Sequence, residues 1–251
     1  MKKGKINLRI SIICILIVIF LASTSYIIFK SLENNINENY KPEEEILQNI
    51  QVIPTETESE RQLQLKELQK ENKDIVAWIE IEGTNISYPV LQGEDNEYYM
   101  THDYTKNYSK DGALFLDKDY NFKQQYDNLL IYGHNNQNGK MFSGLEKYKK
   151  ENYYKEHKTI RFTTVEDDAE YEIIAAFYSR VYYTHETNVF RYYYFLDAEN
   201  EQEFNDYLQN VKKSSVYDTG KTAKYGDQLL TLSTCSYHTE DGRFVVVARK
   251  K

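Results

Sequence analysis

After Asp74 the sequence becomes a succession of short segments, each rich in β-branched or aromatic residues and bounded by turn residues. About eight such segments follow one another: IVAWIEI, ISYPVLQG, GALFLD, NLLIYGH, TIRFTT, YEIIAAFYSRVYY, QLLTLSTC and FVVVARK. Their length and spacing predict a mainly β domain built as a closed or nearly closed barrel.

Two helical patches, at residues 141–157 and 198–215, interrupt the predicted strands. The second patch repeats apolar residues at the spacing of one helix face: Phe204, Tyr207, Leu208 and Val211. An insertion of this size between strands is expected to shape a binding cleft.

The N-terminal part carries a different signal, an uncharged and mostly apolar run from Ile10 to Phe29. About 20 apolar residues are what a helix needs to cross a bilayer. Four basic residues precede the run: Lys2, Lys3, Lys5 and Arg9. This charge bias predicts a cytoplasmic N-terminus and an extracellular remainder. A cleaved signal peptide is the alternative, but the run exceeds the usual signal core and no A-x-A cleavage pattern follows.

These signals predict four parts: a cytoplasmic tail at 1–9, a transmembrane anchor at 10–29, an extracellular stalk with a flanking helix at 30–71, and an exported domain at 72–251. Within the third part, TESE predicts a capping box with Thr57 as the N-cap and Glu60 at N3.

Charge and cysteine usage exclude several classes of protein. The net charge of −8 argues against a nucleic-acid partner, which would require a basic surface. The two cysteines, Cys14 and Cys235, fall in different predicted compartments, so no disulfide framework is expected. Cys235 and His238 lack further ligands at metal-site spacing, so neither a metal nor a cofactor is predicted. A buried, inert cysteine remains the alternative interpretation of Cys235.

Three residues at predicted strand ends could work together. Cys235 ends the strand QLLTLSTC, and Arg243 starts the next strand eight residues later, so a hairpin would return the guanidinium to the thiol. Such a cation can lower a thiol pKa or hold an oxyanion. His134 ends another strand and is suited to acid–base chemistry near neutral pH. His238 is nearer to Cys235 in sequence, but we expect it in the loop between the last two strands.

These motifs resemble those of the sortases. TLSTC followed by GRF resembles the strand that bears the sortase cysteine together with the arginine that follows it, and IYGHN with GKMFSGLEKY resembles the segment around the catalytic histidine. WIEIEGTNISYPVLQGEDNEYYMTHDY and the helix at 198–215 are similar to class B members. The resemblance covers roughly residues 72–251 and implies a sortase-type β-barrel with flanking helices.

The resemblance also implies an activity. Cys235 would attack the threonine carbonyl of a C-terminal sorting signal, typically Asn-Pro-x-Thr in class B, and form a thioester. His134 would protonate the leaving amine, and Arg243 would steady the oxyanion. An amine of a peptidoglycan precursor or cross-bridge would then accept the acyl group, which anchors a secreted protein to the cell wall.

The substrate would contact the loop and strand beside the cysteine. We assign Ser233, Thr234 and Asn135 to substrate binding, and expect Leu232 to point into the barrel core.

Two other functions compete with this interpretation. An exported Cys–His peptidase or amidase would act by hydrolysis, but such enzymes usually place the cysteine first and at a helix N-terminus. Here His134 precedes Cys235, and the cysteine follows a strand. A non-catalytic wall-binding module would explain the anchor and the 24 tyrosines, but not the Cys/His/Arg set.

Overall fold

The structure is a computed structural model that describes Thr24 and residues 59–251. The predicted tail, anchor and most of the stalk lie outside these described residues. Among the described residues, no helix is both long and apolar enough to cross a membrane. The helices and strands are α1 (Glu60–Glu71), β1 (Ile75–Glu80), β2 (Ser87–Leu91), β3 (Leu114–Leu116), β4 (Asn128–Gly133), α2 (Glu151–Glu156), β5 (Thr159–Thr163), β6 (Asp168–Arg180), α3 (Glu201–Ser214), β7 (Leu229–Cys235) and β8 (Gly242–Lys250).

The strands close into a barrel in the order β1-β2-β3-β4-β7-β8-β6-β5, which confirms the mainly β, eight-stranded prediction. Most neighbours run antiparallel, but the pairs β2–β3 and β4–β7 are parallel. Parallel neighbours need a long connection. The chain between β4 and β7 contains α2, β5, β6 and α3, so two strands that are remote in sequence become neighbours.

Successive side chains of a strand face opposite sides of the sheet, so the apolar side chains of these strands form two clusters. Inward residues such as Ile131 and Leu232 fill the barrel interior. Outward residues such as Leu130 and Val245 pack in a second cluster with α3. The predicted face of α3 is buried there: Phe204, Tyr207, Leu208 and Val211. The helix therefore covers the outer face of the sheet, and in sequence it lies between β6 and β7.

The start of α1 differs from the sequence prediction. Ser59, not Thr57, is the N-cap, and Glu60 is the first helical residue rather than N3. The Gln62 backbone N–H donates to Ser59 Oγ at 3.3 Å, and the Ser59 N–H donates to Gln62 Oε1 at 2.9 Å. This is the same capping-box pattern two residues later, with glutamine in the acceptor role.

The first helical patch also forms less helix than predicted. A 3₁₀ turn at Leu145–Lys149 and the short α2 replace one continuous helix. Lys150 between them has extended backbone angles of −101° and 119°. This break is accompanied by burial of Leu145, Tyr148 and Tyr154 against the barrel core.

Candidate active site

Strand register brings together the three residues predicted from the sequence. Cys235 is the last residue of β7 and pairs directly with Arg243 at the start of β8. On the other side of β7, Gly133 of β4 lies opposite Thr234. Because β4 and β7 are parallel, His134 follows Gly133 at the level of Cys235. The hairpin of β7 and β8 and the remote strand β4 thus bring the three residues to one end of the barrel.

The same alternation directs their side chains outward. Residues an even number of positions apart on a strand face the same side. His134 is four residues after outward-facing Leu130, and Cys235 is six residues after outward-facing Leu229. Arg243 is two residues before Val245, which also faces outward. All three line a cavity of about 230 Å³. The other lining residues are Asn96, Met100, Phe115, Tyr132, Gly133, Val181, Tyr192, Tyr193 and Ser233.

A backbone carbonyl orients His134. Its Nε2 lies 2.7 Å from the carbonyl oxygen of Met100, in the 3₁₀ turn Tyr98–Met100. A carbonyl oxygen can only accept a hydrogen bond, so Nε2 carries the proton in this geometry. In the neutral ring Nδ1 then keeps its lone pair and can act as a base.

Cys235 is a free thiol in a partly exposed position. Its backbone carbonyl accepts a hydrogen bond of 2.9 Å from Asn135 Nδ2. Asn135, which was predicted to bind substrate, does not line the cavity. Its side-chain amide connects the loop after His134 to the end of β7, and this hydrogen bond holds His134 and Cys235 in place relative to one another.

The backbone just before Arg243 binds one nitrogen of its guanidinium. Its Nη1 donates to the carbonyls of Asp241 at 3.1 Å and Gly242 at 2.9 Å. A guanidinium has five N–H donors, so donors remain for a ligand in the cavity. Burial raises the pKa of Tyr192, and the positive charge of Arg243 partly opposes that rise.

The two residues before Cys235 point in opposite directions, which corrects the prediction that both line the cleft. Ser233 lines the cavity and shares a hydrogen bond of 2.7 Å with the Tyr192 hydroxyl. Thr234 is buried on the inner face, where its hydroxyl donates to the Gly133 carbonyl at 2.7 Å. Successive strand residues alternate, so Thr234 shares the orientation of Leu232, which is in the interior core as predicted.

Several lining residues were not predicted from the sequence. Tyr132 precedes His134 by two positions and therefore faces the same side, a signal that could have been used. Asn96, Met100 and Tyr192 lie outside the strands, where no periodic pattern places a side chain. Only the tertiary structure brings these three to the cavity.

His238 lies in the loop between β7 and β8, as predicted. Its Nδ1 is 3.0 Å from Ser236 Oγ, its ring packs against Tyr178 with centroids 4.6 Å apart, and it does not line the cavity. In the described part of the chain, no group of three or more His, Cys, Asp or Glu side chains could hold a metal ion.

Comparison with known proteins identifies the class to which this fold and site correspond. A family profile for the sortase domain matches residues 79–251. The chain is 33% identical over 240 residues to sortase B of Listeria monocytogenes, with 94% of each chain covered. The chain therefore belongs to the sortase family, and it is a cysteine transpeptidase of the kind that anchors proteins to the cell wall.

Solved structures agree with this assignment and narrow it. The Staphylococcus aureus sortase B–substrate complex matches with a TM-score of 0.72 and 30% identity, covering 87% of this chain and 97% of the other. A sortase B complexed with triglycine matches with a TM-score of 0.72 and 31% identity, covering 87% and 98%. Within the family, the chain groups with class B.

Proposed function

We propose that Cys235, His134 and Arg243 are the catalytic residues, and that they cleave a C-terminal sorting signal after threonine and transfer the acyl group to a peptidoglycan amine. The observation that carries the proposal is the strand register. The pairing of β4, β7 and β8 leads a thiol, an imidazole and a guanidinium to one cavity.

Acylation begins with the thiol of Cys235. His134 Nδ1 accepts the thiol proton, and the sulfur attacks the threonine carbonyl carbon. The oxyanion of the tetrahedral intermediate receives N–H donors from Arg243. When the C–N bond breaks, the imidazolium of His134 returns the proton to the departing amine, and a thioester remains on Cys235.

Deacylation reverses these roles with a new amine. The acceptor amine attacks the thioester carbonyl, His134 accepts one of its protons, and the thiolate leaves and is reprotonated. The product is a new amide bond, so no water is consumed. The Met100 carbonyl keeps the imidazole in one orientation through both half-reactions.

Both substrates are proposed from class B membership. A relative is described in complex with substrate and another in complex with triglycine. For this chain we propose an Asn-Pro-x-Thr type signal as the acyl donor, and the amine of a peptidoglycan precursor or cross-bridge as the acceptor. Asn96, Ser233, Tyr192 and Met100 line the cavity that would receive the donor peptide.

We also propose that residues 10–29 anchor the enzyme in the membrane of a Gram-positive cell, with the N-terminus in the cytoplasm and the catalytic domain outside. The uncharged run and the preceding basic residues support this topology. Protease added to intact protoplasts should degrade the catalytic domain. Its protection until the cells are lysed would contradict the proposed topology.

The proposed reaction is tested with the full-length protein in mild detergent, a peptide carrying the sorting signal, and triglycine. Mass spectrometry should find cleavage after threonine and a peptide–triglycine amide. Cys235→Ala should form neither product, whereas His238→Ala, which removes a histidine outside the cavity, should form both. Hydrolysis without amide product, at every amine concentration, would favour the hydrolase alternative.

A further inference from the structure

We propose that Asp117 is a positioning residue, whose buried carboxylate holds Asn96 and Tyr132 in the cavity wall and thereby sets the affinity for the donor peptide. The proposal rests on the proposed function, because it takes the cavity beside Cys235 as the peptide site.

Asp117 follows β3 directly, and its N–H donates to the Leu130 carbonyl at 2.8 Å. Asp117 is two residues after Phe115 and so is expected on the same side, the outer face of the barrel, where Phe115 lines the cavity. The residue is only 5% exposed. A buried carboxylate needs hydrogen-bond donors to compensate for lost hydration.

Two of those donors come from residues that line the cavity. Asp117 Oδ2 accepts hydrogen bonds of 3.0 Å from the Tyr132 hydroxyl and 3.0 Å from Asn96 Nδ2. Oδ1 accepts from the Asp119 N–H at 3.0 Å. One oxygen atom of Asp117 therefore links two parts of the cavity wall that are separate in sequence.

This arrangement fixes what the wall offers to a ligand. Asn96 Oδ1 accepts from the Lys118 N–H at 2.8 Å, so the amide cannot flip, and one Nδ2 hydrogen remains. The Tyr132 hydroxyl gives its hydrogen to Asp117 and can only accept from the cavity. Burial, and next the charge of Asp117, raise the pKa of Tyr132, so it stays protonated. Asn96 and Tyr132, which both line the cavity, thus keep one donor and one acceptor between them, the complement of an amide group in a peptide.

The test is Asp117→Asn in the full-length protein. This isosteric change places an NH₂ group or a weaker acceptor against two donors. We expect KM for the sorting peptide to rise about tenfold, because hydrogen bonds to charged groups contribute more than neutral ones. We expect kcat to change less than about twofold, because neither Cys235 nor His134 contacts the carboxylate.

Asp103→Asn is the matched control. Asp103 is 6% exposed and accepts from Thr105 and Asn107, but it does not line the cavity. It should lower the melting temperature without raising KM. Equal KM values for Asp117→Asn and Asp103→Asn would overturn the proposal.

Tyr132→Phe provides a second, independent test. It removes the hydroxyl through which Asp117 would act, so Asp117→Asn should have a smaller effect on KM in that background. If the double variant raised KM by the product of the two single-variant factors, Asp117 and Tyr132 would act separately, and the positioning role would be wrong.

Peptide affinity, measured by calorimetry in the Cys235→Ala background, separates failure of this inference from failure of the proposed function. Asp117→Asn should weaken affinity about tenfold. If the protein with Cys235 forms no amide product while affinity still depends on Asp117, the proposed function fails and the positioning role stands. If turnover is normal and affinity is unchanged by Asp117→Asn, only the positioning role fails.

Discussion

At the scale of single residues, the Met100 carbonyl fixes the orientation of the His134 ring. Its contact with Nε2 makes Nδ1 the nitrogen that we propose accepts the thiol proton. The sequence pointed to His134 because it follows a strand, but the carbonyl that orients the ring comes from a 3₁₀ turn without a periodic signature. The sequence and its family resemblance thus predicted that His134 lies at one site with Cys235 and Arg243. They did not predict the orientation of the His134 ring.

His134→Ala should lower kcat by about 10²–10⁴, because general acid–base catalysis contributes a factor of this size. His238→Ala serves as the control and should stay near wild type, since that ring packs on Tyr178 outside the cavity. Steady-state rates of amide formation measure both. A larger loss for His238→Ala than for His134→Ala would show that the base is misassigned.

Arg243→Lys should lower kcat by about 10²-fold, a loss comparable to that of one oxyanion donor. Lysine keeps the charge but lacks the planar fork, part of which is tied to the Asp241 and Gly242 carbonyls. Arg249→Lys, at the other end of the same strand, is the control and should retain activity. Equal rates for the two variants would contradict an oxyanion role for Arg243.

At the scale of elements, the site depends on the close packing at the end of β4. A Cβ atom on Gly133 would clash with Leu114 Cδ2 and would lie 2.7 Å from Phe142 Cδ2. Both side chains are buried, so any larger residue before His134 would force them or β4 to move. The strands themselves were predictable from alternating side chains, as Leu232 in the core shows. The predicted place of Thr234 in the cleft beside Ser233 was wrong, because successive strand residues face opposite sides and Thr234 lies on the inner face.

Gly133→Ala should reduce both stability and turnover, because β4 must shift and carry His134 with it. Overpacking of this kind costs about 1–3 kcal/mol. Gly144→Ala is the control, since its added Cβ would meet only the end of the Asn85 side chain at 3.1 Å. The melting temperature and kcat should both fall for Gly133→Ala and stay near wild type for Gly144→Ala. Unchanged kcat in Gly133→Ala would show that β4 does not position the histidine.

At the scale of the whole molecule, the order of strands in the closed barrel places the ends of β4, β7 and β8 side by side and so forms the site. Hydrophobic patterns predict eight strands but not their order, because the parallel β4–β7 pair joins segments separated by two strands and two helices. The family resemblance, rather than any periodic pattern, indicated that the ends of these two strands meet. The membrane anchor stays a prediction from the sequence.

Acid stability is another property of the whole fold. A hydrogen bond from Lys221, followed by contributions from Arg249, lowers the pKa of Glu172 below its ordinary value of 4.5. A carboxyl group with a depressed folded-state pKa stabilises the protein fully above its unfolded pKa, and this contribution disappears as pH falls through the folded pKa.

Glu172→Gln should therefore make the free energy of unfolding less dependent on pH below about pH 4.5. Urea unfolding of both proteins between about pH 3 and pH 6 measures the difference. Parallel pH profiles for the variant and the wild type would mean that Glu172 has no depressed pKa.

The central claim is that Cys235 carries the acyl group between donor and acceptor. The most direct measurement is the intact mass of the full-length enzyme, quenched in acid shortly after sorting peptide is added without amine. We predict a mass increase equal to the acyl fragment ending in threonine, located on Cys235 by peptide mapping and discharged by triglycine. An adduct on another residue, or turnover by Cys235→Ala at the wild-type rate, would contradict the account.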